Sequence, residues 1–262
     1  MVIKDKVILI CGAGGIFGKS ITKYLVSQDA IVIAMDLFNI AINKDFSNLI
    51  KKKNFFYFKC DSTDEKKLTS IKKLINKKFK KIDVLINLSS ITDPVEGKKQ
   101  LIKFEDFKKK DFSEIVSKNL LATFIPCKVF GSEMSRIKKG SIINFSSTYG
   151  LVGPDQKIYE NRKKKFFIKN PAYPTSKGGI IAFTKYLASY WGNKNIRVNC
   201  IVPGGVENKQ NKIFIKNYSS KTALGRMANS EDLNGIIHLL CSKNSSYITG
   251  STIVVDGGWT AI

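Results

Sequence analysis

"CGAGGIFGKS" (residues 11–20) joins a short apolar run, "KVILIC" (6–11), to a segment with helical spacing, "GKSITKYLVSQ" (18–28). Glycines let a backbone approach a phosphate closely, and the start of a helix offers unpaired N–H groups and the positive end of its dipole. Two ligands compete for such a loop. A nucleoside-triphosphate loop needs G-x-x-x-x-G-K-[ST], and "AGGIFGKS" departs from it at Ala13. A dinucleotide loop needs spaced glycines, here Gly12, Gly15 and Gly18 with Ile16 between them. Asp36 separates the two. It ends the next apolar run, "AIVIAMD" (30–36), where a carboxylate can accept both adenosine ribose hydroxyls. The same charge repels a ribose 2′-phosphate, and Leu37 and Phe38 supply no arginine to receive one. The expected cofactor is therefore NAD rather than NADP. The structural alternative makes Asp36 a helix N-cap.

Outward from the loop, apolar runs and helical patterns alternate. "NFFYFKCD" (54–61), "IDVLINLSS" (82–90), "GSIINFSS" (140–147), "NIRVNCIVPGG" (195–205) and "GSTIVVDGG" (250–258) read as further strands, and "KLTSIKKLINKKF" (67–79) as a helix. Near-continuous apolar strands separated by helices predict an α/β fold. It is a Rossmann-type, doubly wound parallel sheet of about seven strands with helices on both faces. Ligands in such sheets bind beyond the carboxyl ends of the strands. Gly12, Asp36, Asp61, Asn87, Ser146–Ser147 and Pro203–Gly204 all fall there. Asp61 has two readings, an acceptor for the adenine amino group and an N-cap for a helix beginning near Thr63.

The bulk numbers fit one globular domain spanning 1–262: 43% hydrophobic, 25% charged, and no linker-like block of glycine or proline. The net charge is +23, from 44 Lys+Arg against 21 Asp+Glu. Nucleic acid is nonetheless not the expected partner, because only Arg136, Arg162, Arg197 and Arg226 are arginines and lysine is spread along the whole chain. The five cysteines are odd in number and lack a C-x-x-C, which argues against disulfides and zinc and for a reducing cytosol. No run suits a signal peptide or a membrane span. His238, in "GIIHLL", reads as a packed helix residue, and with no G-x-S-x-G hydrolase chemistry has little support.

Three tyrosines precede a lysine by four residues, a spacing that puts both on one helical face: Tyr159 with Lys163, Tyr173 with Lys177, and Tyr190 with Lys194. Spacing alone does not choose among them. The set of motifs from "CGAGGIFG" through "NIRVNCIVPGG" and "GRMANSED" to "YITGSTIVVDGG" resembles the short-chain dehydrogenases/reductases over nearly the whole chain. The resemblance implies hydride transfer between a nicotinamide and a carbinol or ketone. It selects Tyr173, thirty residues before Pro203, as the acid/base, with Lys177 beside it and on the nicotinamide ribose. It also implies Ser147, three residues before Gly150, as the substrate-positioning hydroxyl, and Asn119, opening the long central helix, as holder of a water that links the lysine to solvent. Val206 is placed to contact the nicotinamide amide, and Asn208 stands where the family usually has threonine. A free phenol titrates near pH 10, so work near neutrality requires its ionisation to be favoured by ~4 kcal/mol, part of it from Lys177.

Two departures stand out. Cys11 replaces a family threonine, and "NLSS" (87–90) replaces Asn-Asn-Ala-Gly, so packing is expected in place of a polar link between strands, which leaves the contacts of Asn87 open. The stretch "DQKIYENRKKKFFIKN" (155–170) lengthens the segment between Ser147 and Tyr173 and is expected as a substrate-side loop. Its Arg162, Lys163, Lys164, Lys165 and Lys169 suit an anion such as a nucleotide diphosphate; the alternative is a solvated loop. The extended loop resembles the branch of surface-sugar and flagellin-glycan biosynthesis, implying a sugar or nucleotide-sugar substrate. Rival readings are a 3-oxoacyl thioester reductase, which usually takes NADPH, and a dinucleotide-binding sensor without turnover. The family implies a homotetramer or dimer formed through helices that include residues 119–138 and 173–191.

Overall fold

The computed structural model describes residues 2–39, 44–91, 102–161, 164–165 and 168–262. Its elements are β1 (Val7–Cys11), α1 (Ile16–Ser27), β2 (Ile31–Asp36), β3 (Phe55–Lys59), α2 (Glu65–Phe79), β4 (Val84–Asn87), α3 (Lys109–Ile137), β5 (Gly140–Phe145), β6 (Glu160–Asn161), β7 (Lys164–Lys165), α4 (Ala172–Trp191), β8 (Ile196–Pro203), α5 (Lys212–Ser219), α6 (Asn234–Cys241) and β9 (Thr252–Val255). Seven strands form one parallel sheet in the order β3-β2-β1-β4-β5-β8-β9. All seven apolar runs read from the sequence are in it.

Alternate residues along each strand feed opposite faces, as a two-residue period requires. Ile8, Ile10, Val32, Val84, Ile86 and Ile143 pack with Ile21 and Leu25 of α1 and Ile237 and Leu240 of α6. Val7, Leu9, Ile33, Leu85, Ile142 and Val198 pack with Leu68 and Ile71 of α2, Phe130 and Met134 of α3, and Leu187 and Trp191 of α4. Strand order reverses at β1, which lies between β2 and β4, so a crevice opens beyond the ends of these strands. Among the described residues, no helix is long and apolar enough to cross a membrane and no cluster of ligating side chains could hold a metal ion.

A buried polar chain ties the sheet to α4 near that crevice. Asn87 Nδ2 donates to Asn144 Oδ1 of β5 at 2.9 Å and to Cys127 Sγ of α3 at 3.2 Å. Asn144 Nδ2 in turn donates to Thr184 Oγ1 of α4 at 3.0 Å. The strands are thus linked by polar groups as well as by packing, through Asn144 rather than through position 11 or 88. All five cysteines are buried and unpaired. Burial raises their thiols, Cys60 and Cys200 to about 11 and Cys127 and Cys241 to about 12, so they stay protonated.

Three details differ from the sequence reading. The helix expected at 67–79 begins at Glu65, capped by Asp64, whose carboxylate accepts Lys67 N–H at 2.9 Å. The long helix begins at Lys109, so Asn119 lies in its third turn and does not open it. The described residues of the 155–170 stretch include a 3-10 turn at Gln156–Tyr159 and the antiparallel pair β6 and β7. Ile158 and Tyr159 are buried, and Asn217 of α5 donates to the carbonyls of Ile158 and Glu160 at 3.2 and 3.0 Å.

Replacing Thr184 by valine keeps the side-chain volume but orphans the Asn144 amide, which has no exposure to water. The variant is expected to lose about 1–3 kcal/mol of stability, read as a lower urea midpoint at unchanged slope.

Candidate active site

The glycine loop is shaped by close approaches. Gly12 has φ +82°, and a Cβ there would stand 2.6 Å from Ser89 N; a Cβ on Gly18 would collide with Gly12 O. The loop is tied to β2, since the N–H groups of Gly12 and Ala13 both donate to Met35 O, at 2.9 and 3.1 Å. Gly15 is the N-cap of α1 with no side chain over the helix end, leaving the first-turn N–H groups open to an anion.

Asp36 is not a helix N-cap. Its Oδ2 accepts Gly14 N–H at 2.8 Å and its Oδ1 accepts Phe38 N–H at 3.3 Å, which holds the carboxylate on the rim of the loop. Gly14 was not singled out in the sequence, because a contact between residues 14 and 36 exists only once β1 and β2 are paired. Lys19, the lysine a triphosphate loop would use, instead reaches Asp45 at 2.6 Å. Asp61 Oδ1 accepts the N–H and the Oγ1–H of Thr63, both at 2.8 Å, and does not cap α2.

Two adjoining cavities follow the crevice. One, of about 330 Å³, is lined by Gly12, Gly14, Gly15, Asp36, Asp61, Ser89 and Asn119, among others. The other, of about 560 Å³, is lined by Gly12, Gly15, Ile16, Gly18, Ser147, Tyr173, Lys177, Pro203, Gly204 and Val206. Gly12, Gly15, Leu88 and Ser90 border both, so a ligand can run from Asp36 to Tyr173 across the loop. A dinucleotide needs this combination: an acceptor for the ribose, open N–H groups for the pyrophosphate, and a second room for the reactive ring. Asn87 lines neither cavity. It is 1% exposed and turned to Asn144, which corrects its expected place against the cofactor.

Around the phenol, the helix start is set by Asn170, whose Oδ1 accepts Tyr173 N–H at 3.0 Å; Pro174 then sits in the first turn, where a missing N–H is tolerated. Ser146 Oγ donates to the Lys177 carbonyl at 2.7 Å and so faces backbone. Ser147 Oγ accepts Tyr149 N–H at 3.2 Å and keeps its own proton to donate into the cavity that both it and Tyr173 border. Lys177 Nζ is 5.6 Å from the centre of the Tyr173 ring and donates to Phe145 O at 3.3 Å. Burial pushes its ammonium down to about 8. Asn119 has no exposure: Nδ2 donates to Ser176 Oγ at 3.0 Å and to Ile91 O at 3.1 Å, and Oδ1 accepts Ile91 N–H at 2.7 Å. It therefore braces the turn beside Tyr173.

The other two tyrosine–lysine pairs have different surroundings. Tyr190 is exposed and stacks on Tyr186. Tyr159 is buried, with its hydroxyl 3.3 Å from that of Tyr149, and it forms part of the larger cavity's wall. That wall was missed in the sequence. Tyr149, Tyr159, Phe214 and Tyr218 converge on it, with Tyr218 stacked on Trp259 at 4.3 Å. Burial lifts the Tyr149 and Tyr218 phenols, the latter to about 12, so both remain neutral. The available signal was the density of aromatics in 149–159 and 214–218. Lys169 also faces this cavity, whereas Arg162 and Lys163 lie outside the described residues. His238 is a hydrogen-bonded helix residue, its Nδ1 2.9 Å from Tyr24 Oη.

Residues 12–260 match a family model described as enoyl-(acyl carrier protein) reductase. Post-translational flagellin modification protein A of Campylobacter coli is 29% identical over 264 residues, 98% of this chain and 99% of that protein. The 3-oxoacyl-[acyl-carrier-protein] reductase FabG of Thermotoga maritima is also 29% identical, with 98% and 99% covered. The structure of a short chain dehydrogenase from Leptospira borgpetersenii with bound NAD+ superposes with a TM-score of 0.86 at 35% identity, covering 99% of this chain and 94% of that one. The chain spans 44% of the length of an uncharacterized short-chain type dehydrogenase/reductase of Sinorhizobium fredii, 28% identical to it. With the glycine loop, the seven-stranded parallel sheet and the serine, tyrosine and lysine at one cavity, these likenesses make the chain a member of the short-chain dehydrogenase/reductase family. It is an oxidoreductase of the class that acts on alcohol and ketone groups.

Replacing Asp36 by alanine removes a charged acceptor from the ribose end. NAD affinity is expected to fall about tenfold or more, and the ratio of NAD to NADP affinity to narrow, both measured by calorimetric titration. Lys177 carries a second expectation, with a definite sign. Its folded pKa, about 8, lies below the unfolded 10.5, so the unfolded chain holds more protons between these values and stability rises with pH there. The stability advantage of Lys177→Met over the native chain is expected to shrink by roughly 3 kcal/mol between pH 7 and pH 10.5, read from denaturant midpoints.

Proposed function

We propose that the protein is an NAD(H)-dependent oxidoreductase that moves hydride between the nicotinamide and a secondary alcohol or ketone of a sugar or nucleotide-sugar in surface-glycan biosynthesis. The observation that carries this reading is the single cavity bordered by Ser147, Tyr173 and Lys177 at one end and by the glycine loop at the other. NAD is favoured over NADP by the Asp36 carboxylate on the loop rim. When bound, the dinucleotide supplies the hydride acceptor or donor. Gly12, Gly15, Ile16 and Gly18 would hold its pyrophosphate, Asp36 its adenosine ribose, Lys177 its second ribose, and Pro203, Gly204 and Val206 its nicotinamide. Asp61 stands at the adenine end.

In the oxidative direction, the substrate C–H bond breaks as hydride leaves, and the O–H proton passes to the ionised Tyr173. Ser147 donates a hydrogen bond to the reacting oxygen and shares its charge. The Lys177 ammonium, buried and close to the phenol ring, favours the phenolate, and Asn119 supports the turn that carries Tyr173 through Ser176. Reduction runs the same steps backwards.

The sugar assignment is supported by aromatic walls with polar edges. Tyr159, Phe214 and Tyr218 line the cavity, and Asn208 and Gln210 border the same space. The likeness to a flagellin modification protein points the same way. The basic residues of the 155–170 stretch would meet the phosphates of a nucleotide-sugar. A homotetramer or dimer would bury the exposed Leu121 and Phe124 of α3 and Tyr186 and Tyr190 of α4. The second reading, a 3-oxoacyl thioester reductase, has support in the likeness to FabG. A preference for NADPH and an acyl thioester over NADH and a keto-sugar would favour it.

A panel of nucleotide-sugars with NAD, followed by the absorbance of the reduced nicotinamide, is expected to find turnover. Tyr173→Phe should lower it at least about a hundredfold while NAD affinity stays within a few-fold. Equal turnover in that variant would remove Tyr173 from the chemistry, and none with any alcohol or ketone would favour a sensor.

A further inference from the structure

Directly before α4, the chain returns from the hairpin and carries a second lysine to the phenol. Gln156 closes this excursion at its base: its Oε1 accepts Lys169 N–H at 3.0 Å, and its Nε2 donates to Lys169 O at 3.5 Å. The backbone of residue 169 is thereby held, and its side chain is 8% exposed. Lys169 Nζ lies 4.5 Å from the centre of the Tyr173 ring, nearer than Lys177 Nζ at 5.6 Å. We propose that Lys169 is a positioning residue for the acid/base: with Lys177 it sets Tyr173 between two ammonium groups, so that the phenol ionises near neutral pH.

An ammonium over a neutral ring is attracted by the ring's quadrupole, but it is attracted more strongly by a phenolate. Both lysines therefore favour the ionised form. They also disfavour each other, and the charge of Lys169 contributes to the lowered proton affinity of Lys177. A phenolate beside both relieves that repulsion. Among the described residues, the phenols packed around Tyr173 add no negative charge to offset the two ammonium groups. Tyr149, from the turn after β5, and Tyr218, from α5, are buried and neutral, and Tyr159 is hydrogen-bonded to Tyr149. Asp155 acts on the Tyr149 phenol and Asp256 on that of Tyr218. Asp155 is paired with Lys221 at 3.1 Å, and Asp256 accepts from Gly258 and Thr260.

The proposal rests on Tyr173 being the acid/base, yet it is tested separately from turnover. The phenol is titrated in the intact protein with saturating NAD, by carbon NMR of tyrosines labelled at the ζ carbon; the Tyr173 signal is assigned by its loss in Tyr173→Phe. Lys169→Met and Lys169→Gln are each expected to carry about tenfold less phenolate at neutral pH than the native chain, and Lys169→Arg to keep the native titration. Two neutral variants guard against one failing to fold. An unchanged Tyr173 titration in the neutral variants would overturn the proposal. So would a change confined to KM for a nucleotide-sugar, which would make Lys169 a substrate anchor.

Discussion

The approach of α4 to the end of β5 is the contact on which the rest of the site depends. Ser146 donates to the Lys177 carbonyl, and Gly150 leaves the space this needs: a Cβ there would stand 2.5 Å from Ser146 Oγ and 2.9 Å from the Lys177 backbone carbon. One hydrogen bond and one missing side chain thus set the distance between the serine-bearing turn and the helix that carries phenol and ammonium. The Asn87–Asn144–Thr184 chain repeats the tie deeper in the molecule, where leaving any member unpaired is costly. Preorganisation here is inexpensive in entropy, because the serine, tyrosine and lysine all stand on rigid elements or their first turns.

The dinucleotide end follows a different logic. Its geometry is backbone: a left-handed Gly12, a bare helix N-terminus, and loop N–H groups bonded to Met35. Asp36 adds a charged side chain at its rim. By accepting Gly14 N–H, it fixes its carboxylate against the glycine loop. A change at either residue is then felt at both. The end beyond Tyr173 is built from side chains instead, aromatic rings from three separated segments with two lysines against the Tyr173 ring.

Much of this was open to reading in the sequence, for a physical reason. Strand runs, the glycine spacing and Asp36 obey local rules: alternation about a sheet, a turn that admits only glycine, a carboxylate at a strand end. They determined the doubly wound sheet, the dinucleotide loop and the strand-end positions of the candidate residues. The tyrosine spacing alone left three pairs, and only the wider pattern of motifs chose Tyr173. What the tertiary structure decided were the long-range partners. Asn87 turned into the core because Asn144 stands opposite it in the sheet, Asn119 became a brace because Ser176 packs over it, and Tyr159 joined the cavity wall where Asn217 pairs with the backbone on either side of it. The place of Lys169 over the phenol depends on a hairpin folding back through Gln156, a contact between residues thirteen apart with no periodic signature. Periodicity and spacing encode which face a residue takes along its own element; which neighbour waits there is set only when separate elements pack.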